Sequence, residues 1–135
     1  MPFPTEAQYI DTAETALGVK LPAQFRAYLI ASNGGEVEIE DDTWEIHPVL
    51  DAADRKRVAR SANHVVRETT VARDWPGFPS GAIAIGINGT GDRLVFLPAA
   101  HDPTALDERV FQWDHETCEV LPVAENFSTF CQDKS

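Results

Sequence analysis

Positive charge is scarce in this chain: 11 Lys and Arg stand against 22 Asp and Glu, a formal net charge of −11 at pH 7. A field of that sign repels nucleic acid and anionic membrane, and it speeds encounters with basic proteins by roughly ten- to a thousandfold at low salt. Cysteine is scarce too. Cys118 and Cys131 form no CxxC pair and read as reduced thiols of a cytoplasmic protein, with a disulfide between them as the weaker alternative. No apolar run is long enough to cross a bilayer, and MPFPTEAQ has neither the basic nor the apolar region of a secretory signal. A cytoplasmic location is therefore expected. What remains is ordinary for a globular protein, with 43% hydrophobic and 24% charged residues. A chain of 135 residues reads as one domain over 1–135, large enough to bury roughly two-thirds of its unfolded surface without a metal or a disulfide.

Negative charge is concentrated. Glu36, Glu38, Glu40, Asp41, Asp42, Glu45, Asp51 and Asp54 fall in nineteen residues that contain no Lys or Arg. At the centre of this stretch, VEIEDDTWEI alternates Val37, Ile39, Trp44 and Ile46 with charged or polar residues, the period of a β-hairpin with one apolar face. Asp41-Asp42 is read as its turn. The other face becomes a dense acidic surface, and like charges crowded on a sheet are destabilising unless a partner or solvent relieves them. Two readings follow: a surface that receives something basic, or carboxylates that only keep the protein soluble. Arg55, Lys56, Arg57, Arg60, Arg67 and Arg73 cluster further on and read as a solvated helix face that balances the hairpin.

Around the hairpin, local signals divide the chain. Thr5 and Gln8 form a capping box for a first helix, with Ile10, Ala13, Ala16 and Leu17 inward and Gly18 as the stop. Leu21-Pro22 opens a second helix, with Phe25, Tyr28 and Leu29 on its apolar face, and Asn33-Gly34-Gly35 closes it. A helix is expected from about residue 52 to 70, with Val58, Ala62, Val65 and Val66 inward. WPGFPSG then breaks the pattern. Four strand-like stretches follow (AIAIGIN, RLVFLP, RVFQWD and VLPVA), and a short helix with Phe127 and Phe130 closes the chain. Short turns between strands imply antiparallel neighbours. The class is α+β: a central antiparallel sheet flanked by N-terminal, middle and C-terminal helices.

Motifs for chemistry are thin. NGTGD (88–92) lies between strands and ends in an acid, so it reads as a hairpin turn and not as a phosphate cradle. Asp114-His115-Glu116-Thr117-Cys118 packs four metal-capable side chains into five residues without the spacing that lets ligands converge. His47 and the His101-Asp102 pair likewise have no second ligand pair in sequence. There is no GxSxG elbow, and neither cysteine has a motif that lowers its pKa. Carboxylates on an open hairpin face are poor acid–base pairs because nothing desolvates one against another. No catalytic residue, no cofactor and no metal ligand is assigned, and the protein is read as non-enzymatic. Trp44 and Trp113 read as core. Trp75, in the loop before Pro76, reads as exposed, and exposed Trp is a frequent interface anchor.

The order of these pieces resembles the SUKH superfamily, the Smi/Knr-type domain. The resemblance runs through Ala16-Leu17-Gly18, Leu21-Pro22 with Phe25 and Leu29, Asn33-Gly34-Gly35, and Trp44 with Ile46 and Pro48. It continues through Ile85-Gly86, Asn88 to Asp92, Val110 to Glu116 and the closing Phe127 to Phe130 helix. It implies an α+β fold and, in bacteria, an immunity protein that binds and blocks the toxin domain of a contact-dependent or polymorphic toxin system, often a nuclease. It implies no shared catalytic set. Residues and resemblance together lead to a basic protein partner, a toxin domain, received by Glu36, Glu38, Glu40, Asp41, Asp42, Glu45 and Trp75. The alternative is an intracellular adaptor for an endogenous protein. A small metal-dependent hydrolase built on His and carboxylates is the third reading.

Overall fold

The computed structural model describes residues 3–39 and 42–132. Six strands form one antiparallel sheet in the order of the sequence: β1 (Glu36–Ile39), β2 (Asp42–Ile46), β3 (Ile83–Ile87), β4 (Arg93–Phe96), β5 (Val110–Trp113) and β6 (Val120–Ala124). Helices α1 (Ala7–Leu17) and α2 (Ala23–Ala31) precede it, α3 (Arg55–Arg60) and α4 (Val65–Ala72) interrupt it, and α5 (Phe127–Gln132) follows. The expected α+β class, with helices at both ends and in the middle, is the observed one. No described helix is long and apolar enough to cross a membrane.

The main core lies where α1, α2 and α5 meet one face of the sheet. Ile10, Phe25, Leu29 and Phe127 are buried there against Trp44, Ile46, Ile85, Leu94 and Phe96. A smaller cluster of Ala82, Val95, Phe111 and Trp113 occupies the other face, with Phe78 from the WPGFP loop packed on it. Trp44 and Trp113 are thus core residues, and Trp75 is 46% exposed, as read from their contexts. NGTGD is the turn between β3 and β4.

The helices differ from expectation in ways that have causes. α1 begins at Ala7 without a side-chain cap. The Thr5 hydroxyl, expected in a capping box, instead donates to Asp51 at 2.8 Å. α1 ends at Gly18 as expected, in the left-handed conformation. Ala16 is exposed, and Glu14 takes a buried position on this helix. Its carboxylate accepts from Leu21 N–H at 2.7 Å and from Arg26 Nη1 at 2.8 Å, tying α1 to the start of α2. Glu14→Ala leaves a buried N–H without its acceptor, and we expect a loss of about 2 kcal/mol in a urea titration. An unchanged midpoint contradicts this role.

The helix expected over 52–70 is two. Ser61 ends α3: its hydroxyl donates to Arg57 O at 2.7 Å and accepts from Asp51 N–H at 3.0 Å. α4 restarts at His64, whose Nδ1 accepts from Arg67 N–H, while Val65 N–H donates to Pro48 O. The segment after β2 therefore captures polar groups that a continuous helix would have used. In consequence Val58 and Ala62, expected inward, are exposed, whereas Val65 is buried and Val66 half-buried.

α2 ends at Ala31 with Ser32 extended beyond it, ahead of Asn33-Gly34-Gly35, which was expected to close it. Asn33 Nδ2 donates to Val49 O and its Oδ1 accepts from Val49 N–H, both at 2.9 Å, so the amide pairs like a strand residue. Gly34 has φ +107°, and a Cβ there would lie 3.1 Å from Ile46 O. Tyr28 Oη donates to Gly34 O at 2.6 Å. These contacts bring the start of β1 onto the end of β2.

Candidate functional site

Register decides what the hairpin presents. Glu36 pairs with Glu45, Val37 with Trp44, Glu38 with Thr43 and Ile39 with Asp42. Partners opposite one another share a face, so Glu36, Glu38, Thr43 and Glu45 lie on one side and Val37, Ile39, Asp42, Trp44 and Ile46 on the other. Asp42 was expected at the turn; it is the first residue of β2 and ends the apolar row at an exposed position. Glu40 and Asp41 lie outside the described residues. Three of the expected acids therefore form one surface, and Asp42 lies across the sheet from them.

The acidic face is open because the cover stops short of it. One register row runs across the sheet through Glu36, Glu45, Ile87, Arg93, Trp113 and Val120. Over its second half, Phe78 meets the Trp113 ring edge-on at 5.2 Å, and Trp113 Nε1 donates to Gly77 O at 3.1 Å. Glu68 of α4 lies 3.8 Å from Arg93 Nη1. Over the first half, Glu36, Glu38 and Glu45 are exposed. Among the described residues no Lys, Arg or His forms an ion pair with any of the three. Asn63 Nδ2 donates to Glu45 Oε1 at 2.7 Å and fixes that carboxylate.

Beside the hairpin root lies a cleft of about 450 Å³. Its lining includes Glu36 and Glu45 of the hairpin, Gly34 and Pro48, and Asp51, Arg57 and Arg60. Among the described residues, Arg57 makes no ion pair with Glu36, Glu38 or Glu45. Arg57 pairs instead with Asp54 at 2.8 Å and Asp51 at 3.6 Å. The guanidinium carbons of Arg57 and Arg60 each lie 4.6 Å from the Phe3 ring centroid. The Arg57 N–H and guanidinium, donating to Asp54, hold that carboxyl below the usual carboxylate range. Sequence reasoning missed the cleft because its walls come from segments that the fold brings together. The signal available was Ser61, a residue that breaks helices by bonding to nearby backbone.

Trp75 makes no hydrogen bond or ring contact with Glu36, Glu38 or Glu45 among the described residues. Its ring meets that of His115 at 6.3 Å, at the turn between β5 and β6. There Asp92 Oδ1 lies 2.8 Å from His115 Nδ1, and Asp114 Oδ1 accepts from Glu116 and Thr117 N–H. Ligand atoms of Asp92, Asp114 and His115 lie within 4.8 Å of one another, the one such grouping among the described residues. These hydrogen bonds already give each of the three side chains a turn-holding role. Glu116 and Cys118, in the same turn, are not in that grouping, and neither are His47 and His101. Cys118 and Cys131 are not joined in a disulfide.

No curated protein matches the chain. A family model does: that of the SMI1 / KNR4 family (SUKH-1) matches residues 4–133. The match spans nearly the whole chain, from the approach to α1 to the end of α5, and the protein is a member of the SMI1 / KNR4 (SUKH-1) family.

Proposed function

We propose that this protein is a non-catalytic immunity-type domain that binds a basic protein, the toxin domain of a polymorphic or contact-dependent system, on the face formed by Glu36, Glu38 and Glu45. The observation that carries the reading is the Glu36–Glu45 cross-strand pair: two like charges directly opposite, exposed, and in no ion pair with a Lys, Arg or His among the described residues. Such a pair weakens an isolated hairpin, and a partner's Lys or Arg relieves it. A nuclease toxin presents those cations because it grips phosphates, and complementary potential raises the on-rate and sets the register of docking. Membership of a family known for immunity domains supports the reading, as does a net charge of −11.

The test is the triple variant Glu36→Lys, Glu38→Lys, Glu45→Lys against the toxin domain encoded beside the gene. We expect binding to weaken by about a hundredfold or more, since each reversed charge turns attraction into repulsion, with protection lost and the far-UV circular dichroism kept. Full protection by the folded variant sinks the assignment. A pull-down that returns an endogenous partner in place of a toxin favours the adaptor reading.

A further inference from the structure

We infer that the junction of β2, β3 and α4 is an internal water site, where a water molecule accepts from Arg93 Nη1 and donates to a ring nitrogen of His47. The site does not depend on the binding reading above.

Three buried atoms call for it. His47 Nδ1, His47 Nε2 and Arg93 Nη1 have no hydrogen-bond partner among the described residues, which leave His47 1% and Arg93 6% exposed. An unpaired polar group at such depth costs about 1–3 kcal/mol. Roughly nine in ten or more of the buried polar groups in folded proteins are paired, with protein or with ordered water.

Register brings the three atoms to one face of β3. His47 N–H donates to Ile85 O at 2.8 Å and so extends the β2 ladder by one residue. By alternation its side chain leaves on the side opposite Ile46, which is the side of Glu45. Glu45 pairs with Ile87 and Ile87 with Arg93, so His47 after β2 and Arg93 on β4 flank β3 on the same face. The Arg93 charge is felt at the His47 ring across that strand. β3 leaves room between them. Its register shifts between Ala84 and Gly86. Ile85 packs in the main core, and a Cβ at Gly86 would meet Leu94 and Ile46 of that same core. Over two successive positions β3 thus sends no side chain toward His47 and Arg93.

Water fits this set of atoms better than an ion does. A guanidinium only donates, and a neutral imidazole has one donor and one acceptor nitrogen. A molecule that accepts from Nη1–H and donates to the acceptor nitrogen satisfies both. Glu68 Oε1 lies 3.8 Å from Nη1, too far for a hydrogen bond but near enough to counter the charge, so no anion is required. Thr69 of α4 offers a third contact: its Oγ1 accepts from Ala84 N–H at 2.9 Å and keeps an O–H to donate. About three hydrogen bonds are the usual complement of a buried water.

Water contacts in the unaltered protein give the test. NOESY and ROESY spectra of ¹³C,¹⁵N-labelled protein at pH 7 should show cross peaks of opposite sign between the water line and the ring C–H protons of His47. That sign pattern marks a held water and excludes simple proton exchange. Relaxation dispersion of water ¹⁷O should then count at least one long-lived water fewer in the folded variant Arg93→Met, which keeps an unbranched side chain and loses the donors. Absence of the cross peaks in the folded native protein overturns the site, and so does an unchanged count in folded Arg93→Met. Spectra in sodium chloride and in sodium gluconate at equal ionic strength separate water from a halide. The His47 ring signals should be the same in both, and a saturable shift with chloride overturns water in favour of an anion. If Arg93→Met does not fold, the spectra of the native protein decide alone.

Discussion

Replacing Phe25 with Ala should cost about 3–5 kcal/mol, the range for truncating a buried aromatic ring in a packed core. Phe25 is fully buried where three elements meet. Its ring lies edge-on to Phe96 of β4 at 5.4 Å and to Phe127 of α5 at 4.8 Å, and Phe127 in turn meets Tyr28 at 4.9 Å. Loss of the ring leaves a cavity that α2, β4 and α5 cannot all collapse into, and it removes two edge-to-face contacts worth about 1 kcal/mol each beyond burial. Against a total stability on the order of 5–15 kcal/mol, the variant should melt roughly 10–20 °C lower by calorimetry. Leu121→Ala serves as the control. That side chain is 57% exposed on β6, and its removal should change stability by no more than about 0.5 kcal/mol. Similar losses from the two substitutions contradict the placement of the core.

Acidification should destabilise the fold before most carboxylates titrate, and His47 is the reason. It is 1% exposed, and neither ring nitrogen has a hydrogen-bond partner among the described residues. Burial, and then the charge of Arg93, push its pKa down to about 4. In the unfolded chain the ring titrates near its ordinary value of 6.5. Between those two values the unfolded state binds a proton that the folded state refuses, so stability falls as pH drops through the window. Above about 6.5 the contribution is whole; below about 4 both states are protonated and the loss is complete. The span corresponds to about 3 kcal/mol. His64, also lowered by burial and then by Arg67, adds a loss of the same sign. Asp54, Asp102, Asp107 and Asp114 have their pKa values lowered by hydrogen bonds, so their contributions are lost at still lower pH.

Urea midpoints taken from pH 7 to 4.5 should fall steadily in the native protein and more shallowly in His47→Phe. A ring-proton signal of His47 that titrates near 6.5 in the folded state rules this account out, whatever the variant's own stability.

How much of this was legible differs from element to element. The start and apolar face of α2 could be read from its residues because their signals are local: Pro22 presets the backbone and Phe25 and Leu29 are four residues apart, whereas the helix ends at Ala31, ahead of the expected stop at Asn33-Gly34-Gly35. The exposure of Trp75 followed from a neighbouring proline that keeps the segment out of a helix or central strand. The alternation of 36–46 correctly assigned faces to Val37, Ile39, Trp44 and Ile46, and to Glu36, Glu38 and Glu45.

Other features depended on contacts between distant segments. Glu14 looks like any exposed acid of an amphipathic helix until Leu21 N–H and Arg26 converge on it. The break at Ser61 depends on Asp51 N–H, ten residues away. By itself the sequence determined the order of the elements, the apolar rows that build the core and the excess of negative charge, because period and composition act over neighbouring residues. Only the tertiary structure decided that Glu36 faces Glu45, that Asp42 lies across the sheet from both, and that Arg57 and Arg60 stand over a cleft beside them. Those relations are set by strand register and by backbone hydrogen bonds between segments far apart in the chain, and no local pattern encodes them.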